Sequence, residues 1–431
     1  MKRTVRLMIA LGCMALLVSS WAIVLGAKSA DDKQAELLAQ AKAYTDDKVY
    51  ILAVPFLEEA ADIGAENTPA AETALKEAYL ELFGQPEYRN RYIGLLEKQM
   101  DRKDAPPHVY IEAASFHLDG GRYDEAFDAF RRGIEKTGSE DIINEYEQCR
   151  YKYFNGYTTY EDVKPIHEKT LGVQKDGLWG IVTLEGKTII PCEYEKISVF
   201  SGDRAIVKKD DEIYAIDQYN NRLALLKETV YDFGNYAGDR IAILTDDGWK
   251  RATGDFQIGT MAFEQIGTYS GEHAAAKQDG KWGLIDMSST WLVPAEYDEL
   301  MMDELGRSYA QGAAFAKKGD GVYLIINGEQ TGEAYEDAKP FGDEGYAAVK
   351  KGGLWGYINN SGELMIDYQF EEALSFGQHL AAVKQDGLWG YISLYGKMAI
   401  EAEYLQAKSF ADGAAPVLTD QGWILITLYE A

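Results

Sequence analysis

Cysteine, histidine and proline are all scarce in this 431-residue chain, at 3, 5 and 10 residues. Cys13 sits in an apolar run near the N-terminus, leaving Cys149 and Cys192 in separate regions. Two such cysteines make no disulfide framework, and no Cys-x-x-Cys pair offers a metal or redox site. His108, His117, His167, His273 and His379 are scattered, without the spacing that a zinc site needs. A Gly-x-Ser-x-Gly elbow, a phosphate-binding loop and a dinucleotide fingerprint are also missing. Basic residues are outnumbered, with 43 Lys+Arg against 70 Asp+Glu and a net charge of −27. That field repels a phosphate backbone and argues against nucleic acid as a partner. Carboxylates are so many that no pair stands out as catalytic. The sequence thus implies no cofactor, no metal and no catalytic set, and the expected class is a non-enzymatic binding protein.

The one long hydrophobic run is at the start. Lys2, Arg3 and Arg6 precede the apolar stretch from Leu7 to Gly26. Its length suffices to cross the hydrocarbon layer, and the basic flank places the N-terminus inside and the bulk outside. Residues 1–30 are therefore expected to be a signal anchor, with residues 7–26 holding a single-pass protein in the cell membrane. Cleavage near Ala30, giving a secreted form, is the alternative.

Residues 33–152 are poor in glycine, and their apolar residues recur at helical spacing. Tyr110, Ala114, Gly121, Tyr123, Ala126 and Phe130 form one helix-turn-helix phrase. Ala41, Tyr44, Tyr50, Ala53, Leu57 and Ala60 repeat much of it, and a poorer unit fits between Ala71 and Met100. The spacing resembles the tetratricopeptide repeat, although Lys48 and Gly138 stand where that family has glycine and proline. The resemblance implies a groove for a protein or peptide, with Tyr110, Tyr123 and Phe130 as candidate contacts. Residues 153–169 read as a linker.

From residue 170 a single phrase recurs: a lysine, an Asp-Gly or Gly-Gly turn, then Trp-Gly. It appears at Val173–Gly180, Ala276–Gly283, Val349–Gly356 and Val383–Gly390, with weaker copies around Tyr214, Trp249, Tyr323 and Trp423. The anchors at 179, 214, 249, 282, 323, 355, 389 and 423 step by 35, 35, 33, 41, 32, 34 and 34 residues. A period of this size marks a repeat array of stacked units. Asp-Gly predicts a two-residue type I′ hairpin. Lys384 then opposes Trp389, Val383 opposes Gly390 and Ala382 opposes Tyr391; Lys277 with Trp282 and Lys350 with Trp355 repeat the pattern. Gln174 opposes Trp179. The lysine stem is expected on the indole, a contact worth about 0.5–1 kcal/mol when exposed. The glycine is expected to admit the backbone of a neighbouring repeat. These turns lack the alternating aspartates of a calcium loop.

The array resembles the Trp-Gly (KWG) repeat proteins, a family that implies a β-rich bacterial array and no catalytic residues. The fold class expected is thus multidomain α + all-β: anchor, helical hairpins, then an eight-unit antiparallel β array over residues 170–431. A propeller-like ring is favoured over an open solenoid, because closure protects strand edges. The last unit stops after its second strand, leaving room for a strand from the first. Trp179, Trp282, Lys277, Trp355, Lys350, Trp389, Lys384 and Tyr391 are the candidate contact or signature residues. The expected function is a membrane-anchored extracytoplasmic scaffold for protein partners. The alternative is a cell-wall glycan reader that uses the repeat aromatics.

Overall fold

The computed structural model describes residues 30–225, 229–237, 239–254 and 257–429. It divides into a helical unit ending at Cys149 and a β unit beginning at Arg150. The expected anchor, residues 7–26, lies outside the described residues. Among those described, no helix is long and apolar enough to cross a membrane.

The helical unit contains seven helices among its described residues: α1 (30–46), α2 (Tyr50–Asp62), α3 (Thr68–Glu81), α4 (Pro86–Met100), α5 (Pro107–Asp119), α6 (Tyr123–Thr137) and α7 (Glu140–Cys149). Proline in the first turn of α3, α4 and α5 starts these helices where no amide partner is lost. Gly138, at φ 61°, ends α6 in the left-handed conformation. Small residues line the contacts, as Ala53, Ala60, Ala71, Ala78, Ala114 and Ala126 are all fully buried. A Cβ on Gly133 would lie 2.8 Å from Tyr110, so α5 and α6 meet more closely than alanine allows. Tyr110 and Phe130 are consequently interior, at 0% and 1% exposed, and Tyr110 donates to the Met100 carbonyl at 2.9 Å. This corrects their reading as groove contacts; Tyr123 alone is half-buried. The family of these helices is not established by the packing.

Among the described residues the β unit holds eight antiparallel sheets. Each is a blade whose strands we letter a to d in chain order. In blade 7 these are Glu372–Ala373, Leu380–Gln385, Leu388–Ser393 and Met398–Tyr404. Blade 1 starts at Asp162, and blades 2 to 8 start at Lys196, Asp232, Gln265, Glu299, Asp337, Glu372 and Gln406. From blade 1 to blade 8, strand d runs into strand a of the next blade after a single residue at every junction except that between blades 2 and 3. Residues following strand a in blades 1, 5, 6, 7 and 8 line a single cavity, so strand a faces the central channel.

The last blade lacks a strand d of its own. Tyr153–Asn155 supplies it, with Tyr153 opposite Leu428 and Asn155 opposite Ile426. Tyr160 bridges Trp423 as well. The ring is closed in this way, an eight-bladed propeller rather than a solenoid. Residues 153–169, expected as a linker, instead contain the closing strand and strand a of blade 1 (Asp162–Val163).

Closure therefore depends on residues ahead of the repeats. A fragment of residues 170–431 is expected to melt well below one of residues 150–431, and to bind a hydrophobic dye. Thermal unfolding of the two fragments checks this; equal midpoints would mean that the closing strand contributes nothing.

Candidate functional site

A row of side chains crosses each blade from channel to rim. In blade 7 it is Glu372, Lys384, Trp389 and Tyr404. Blade 6 has Asp337, Lys350, Trp355 and Phe370, and blade 4 has Gln265, Lys277, Trp282 and Tyr297. The hairpin register is the one expected, with Gln174 opposite Trp179 and Ala382 opposite Tyr391. Positive φ at Asp386 (52°) and Gly387 (81°) makes the turn type I′. Opposed residues share a face, so the motif lysine stands between an acid and an indole in blades 6 and 7, and between Gln265 and an indole in blade 4. Lys277 and Lys350 lie 6.0 Å from their indole centroids, whereas Lys384 bonds Glu372 at 3.2 Å.

Register corrects two repeat anchors. Lys208 opposes Ile213 and Lys317 opposes Val322, so these hold the tryptophan position in blades 2 and 5. Tyr214 and Tyr323 occupy the glycine position, on the other face.

The glycine has a different role from the expected one. Trp389 opposes Tyr404 while Tyr391 opposes Ile400, so three residues of strand d bulge over Gly390. A Cβ there would lie 2.6 Å from the Ile400 carbonyl oxygen of the same blade. Gly180, Gly283 and Gly356 sit under equivalent bulges, two of which contain Pro191 and Pro294. The neighbouring repeat is met instead by the next side chain: Tyr357 and Tyr391 donate to the Leu374 and Lys408 carbonyls of the following blade, each at 2.9 Å.

The aromatics fall into two groups. Trp355 is 4% exposed, Trp389 8% and Tyr391 0%, which makes them core and not contact surface. Trp179 and Trp282 are half-buried.

Acidic side chains brace the turns. The residue before strand a accepts the amide of its own blade's hairpin: Glu161 from Gly177 (2.9 Å), Glu264 from Gly280 (3.0 Å), Asp298 from Gly319 (2.7 Å), Glu371 from Gly387 (3.1 Å). At the other end of the blades, corner residues link neighbours. Glu168 accepts from Gly202 (2.6 Å), Gln378 from Gly413, and Asp412 from Lys169 (2.8 Å), this last across the ring closure.

The channel is plugged. The 41-residue step reflects extra residues after strand a of blade 5, and this segment reaches into the channel to blades 3, 4 and 8. Glu304 accepts from Lys408 (3.4 Å) and from the Ser409 amide (2.9 Å). The Leu305 carbonyl accepts from Thr268 (2.6 Å) and Asn235 (3.1 Å). Asp303 folds the loop by accepting the Leu305 (2.9 Å) and Arg307 (2.8 Å) amides. Nothing in the residues of the long step announces this role.

Two cavities flank the plug. One, about 560 Å³, opens on the corner side between the plug, His167, Lys339, Phe341 and Asp412. The other, about 800 Å³, lies on the hairpin side and is lined by Trp249, Trp282, Glu299, Lys317 and Asp337. Met302 and Lys339 line both. Burial, reinforced by Arg307, holds His167 below its ordinary pKa, while Glu168 and Asp412 oppose the shift. Burial also pushes the Lys164 amine down, helped by Lys196 and Lys408. Among the described residues no cluster of His, Cys, Asp and Glu could hold a metal ion.

The model of the WG containing repeat matches residues 179–212, 282–321, 334–355, 355–389 and 389–423. The C-terminal region carries WG repeats. No curated protein matches the chain. Similar solved structures include the AfRom2 CNH domain, at 8% identity and TM-score 0.31, covering 56% of this chain and 95% of that one. The Neurospora crassa Pan2 WD40 domain gives 10% and 0.31, covering 63% and 88%. The calcium-binding protein regucalcin from Agrobacterium tumefaciens gives 8% and 0.26, covering 63% and 90%.

Two outcomes follow from the site. Gly390→Ala should destabilise the propeller by about 1–3 kcal/mol, the usual cost of overpacking, measured by urea unfolding. His117 and His167 are both held below their ordinary value near 6.5, chiefly by burial. The unfolded chain then binds protons that the native state refuses, so stability should be full above about pH 6.5 and fall below it. Unfolding midpoints from pH 7.5 to 5 check this, and His117→Gln with His167→Gln should flatten the fall.

Proposed function

We propose that this protein is a non-enzymatic, membrane-anchored extracytoplasmic scaffold that binds protein partners through its helical and WG-repeat surfaces. Repeat and propeller folds commonly serve as interaction scaffolds. The observation that carries the reading is the use of the repeat signature: its tryptophans, glycines, lysines and acids are spent on packing, bulges and turn caps. What remains for binding is surface and channel mouth, not a reaction centre. The apolar stretch at residues 7–26 supports the anchor.

One observation favours glycan binding as a second reading: half-buried Trp249 and Trp282 share a cavity with Glu299 and Asp337. An aromatic ring beside carboxylates suits a sugar face and its hydroxyls. The burial of Trp355 and Trp389 counts against a row of aromatic platforms along the repeats.

One experiment separates the two. Detergent-solubilised full-length protein is immobilised and exposed to envelope extract, with and without prior wall digestion, and sacculi are pelleted with it separately. The scaffold reading expects a stoichiometric protein partner that survives digestion. Pelleting with sacculi, competed by soluble wall fragments and lost in Trp282→Ala, would favour the glycan reading instead. Neither binding would sink both.

A further inference from the structure

Lys164, Lys339 and Lys408 occupy one repeat position, the residue after strand a, in blades 1, 6 and 8. Each ammonium lies near its own blade's tryptophan: 4.7 Å from the Trp179 centroid, 5.5 Å from Trp355 and 5.3 Å from Trp423. In blade 8 the same ammonium also takes a carboxylate, that of Glu304 in the plug. The protein thus displays what this position recognises. In blade 6 the equivalent carboxylate is missing, and among the described residues Lys339 forms no ion pair. Proline follows it, so no amide is left facing the channel without an acceptor.

A second cation faces the same cavity. Arg307, on the plug, uses its Nε for Asp303 at 2.6 Å, and its terminal nitrogens have no acceptor among the described residues. The cavity's acids are already engaged. Glu168 accepts from Ser201 (3.0 Å) and Gly202, Glu304 from Lys408 and Ser409, and Asp412 from the Lys169 amide. Asp343, which has no such partner, is solvent-exposed. Free cationic donors thus face the cavity, together with the unpartnered Nε2 of His167, although the chain as a whole is acidic. Pro340, Phe341, Leu374 and Met302 supply apolar wall beside them. At about 560 Å³ the cavity is of small-ligand size.

We propose that the corner-side cavity binds an organic carboxylate with an adjoining apolar group, its carboxylate held between Lys339 and Arg307 as Glu304 is held by Lys408. This goes beyond the scaffold reading, since a scaffold can act through its outer surfaces with the cavity unused.

The test is isothermal titration of the full chain with N-acetylphenylalanine and with its uncharged amide. The carboxylate should bind at least about tenfold tighter than the amide. Lys339→Gln and Arg307→Gln should each weaken it about tenfold, Lys339→Arg should retain it, and the exposed Lys397→Gln should leave it unchanged. Circular dichroism confirms that the variants fold; should they fail, the acid–amide comparison on the unaltered protein decides alone. Equal binding of acid and amide, insensitivity to both glutamine variants, or no binding at ~10 mM would overturn the site. Each of these leaves the partner-capture result untouched.

Discussion

Every level of the β unit depends on the pairing of residues 153–155 with the last hairpin. A four-stranded blade is too thin to bury both faces, so each needs a neighbour on either side. In an open array the first and last blades would leave apolar faces in water, and the strand edges would invite association. Tyr153–Asn155 removes that problem by completing blade 8 with chain from before blade 1. Once eight blades are fixed in a ring, the channel has a set width, and the plug can be built to cross it. Glu304, three blades away in the ring, reaches Lys408 because closure brings blade 8 around to the far side of the channel.

Within that ring the repeat signature solves a local problem. Strand d must turn away from strand c to start the next blade, and it does so through a bulge that needs a missing side chain beneath it. Glycine after tryptophan supplies the gap, while tryptophan and the rim aromatic cover the row's outer half. In blades 6 and 7 the lysine and the strand-a acid fill the inner half with a cross-strand pair. Where tryptophan is absent, Ile213 and Val322 hold its place, so hydrophobic volume matters more there than an indole. The phrase is thus a structural device, and burial of Trp355, Trp389 and Tyr391 follows from it.

The hairpin register was legible in the sequence because Asp-Gly restricts the turn to one type, and one turn type fixes every opposed pair. Eight units, and a last unit left open for another strand, were legible from the period and the truncated final repeat; the strand that fills it, Tyr153–Asn155, lies ahead of blade 1 in what reads as a linker. Less visible was anything that depends on which strands meet after folding. The bulge over Gly390 needs three residues of strand d opposite one of strand c, which no local spacing announces. Ile213 lost its place to Tyr214 because an aromatic was taken as the anchor when only register could decide. The 41-residue step was visible, but its meaning lies in contacts about 100 residues away, between Glu304 and Lys408. Tyr110 and Phe130 show a further limit: helical spacing places them on a face, yet Gly133 and the next helix decide that this face is interior.

The acidity that first argued against nucleic acid has a partly structural origin. Carboxylates that precede strand a accept turn amides in blade after blade, and others tie one blade's corner to the next. An anionic acceptor makes a stronger hydrogen bond than a neutral one, and repeating it around a ring multiplies a small gain. The same habit explains why the channel differs from the surface. There the acids are already committed, and in blades 1 and 6 the lysine after strand a meets an indole face and not a carboxylate. Net charge describes what approaching solutes meet from a distance, where screening erases it beyond about a Debye length. Recognition inside the corner-side cavity answers to the groups left without partners, and among those the cations are Lys339 and Arg307.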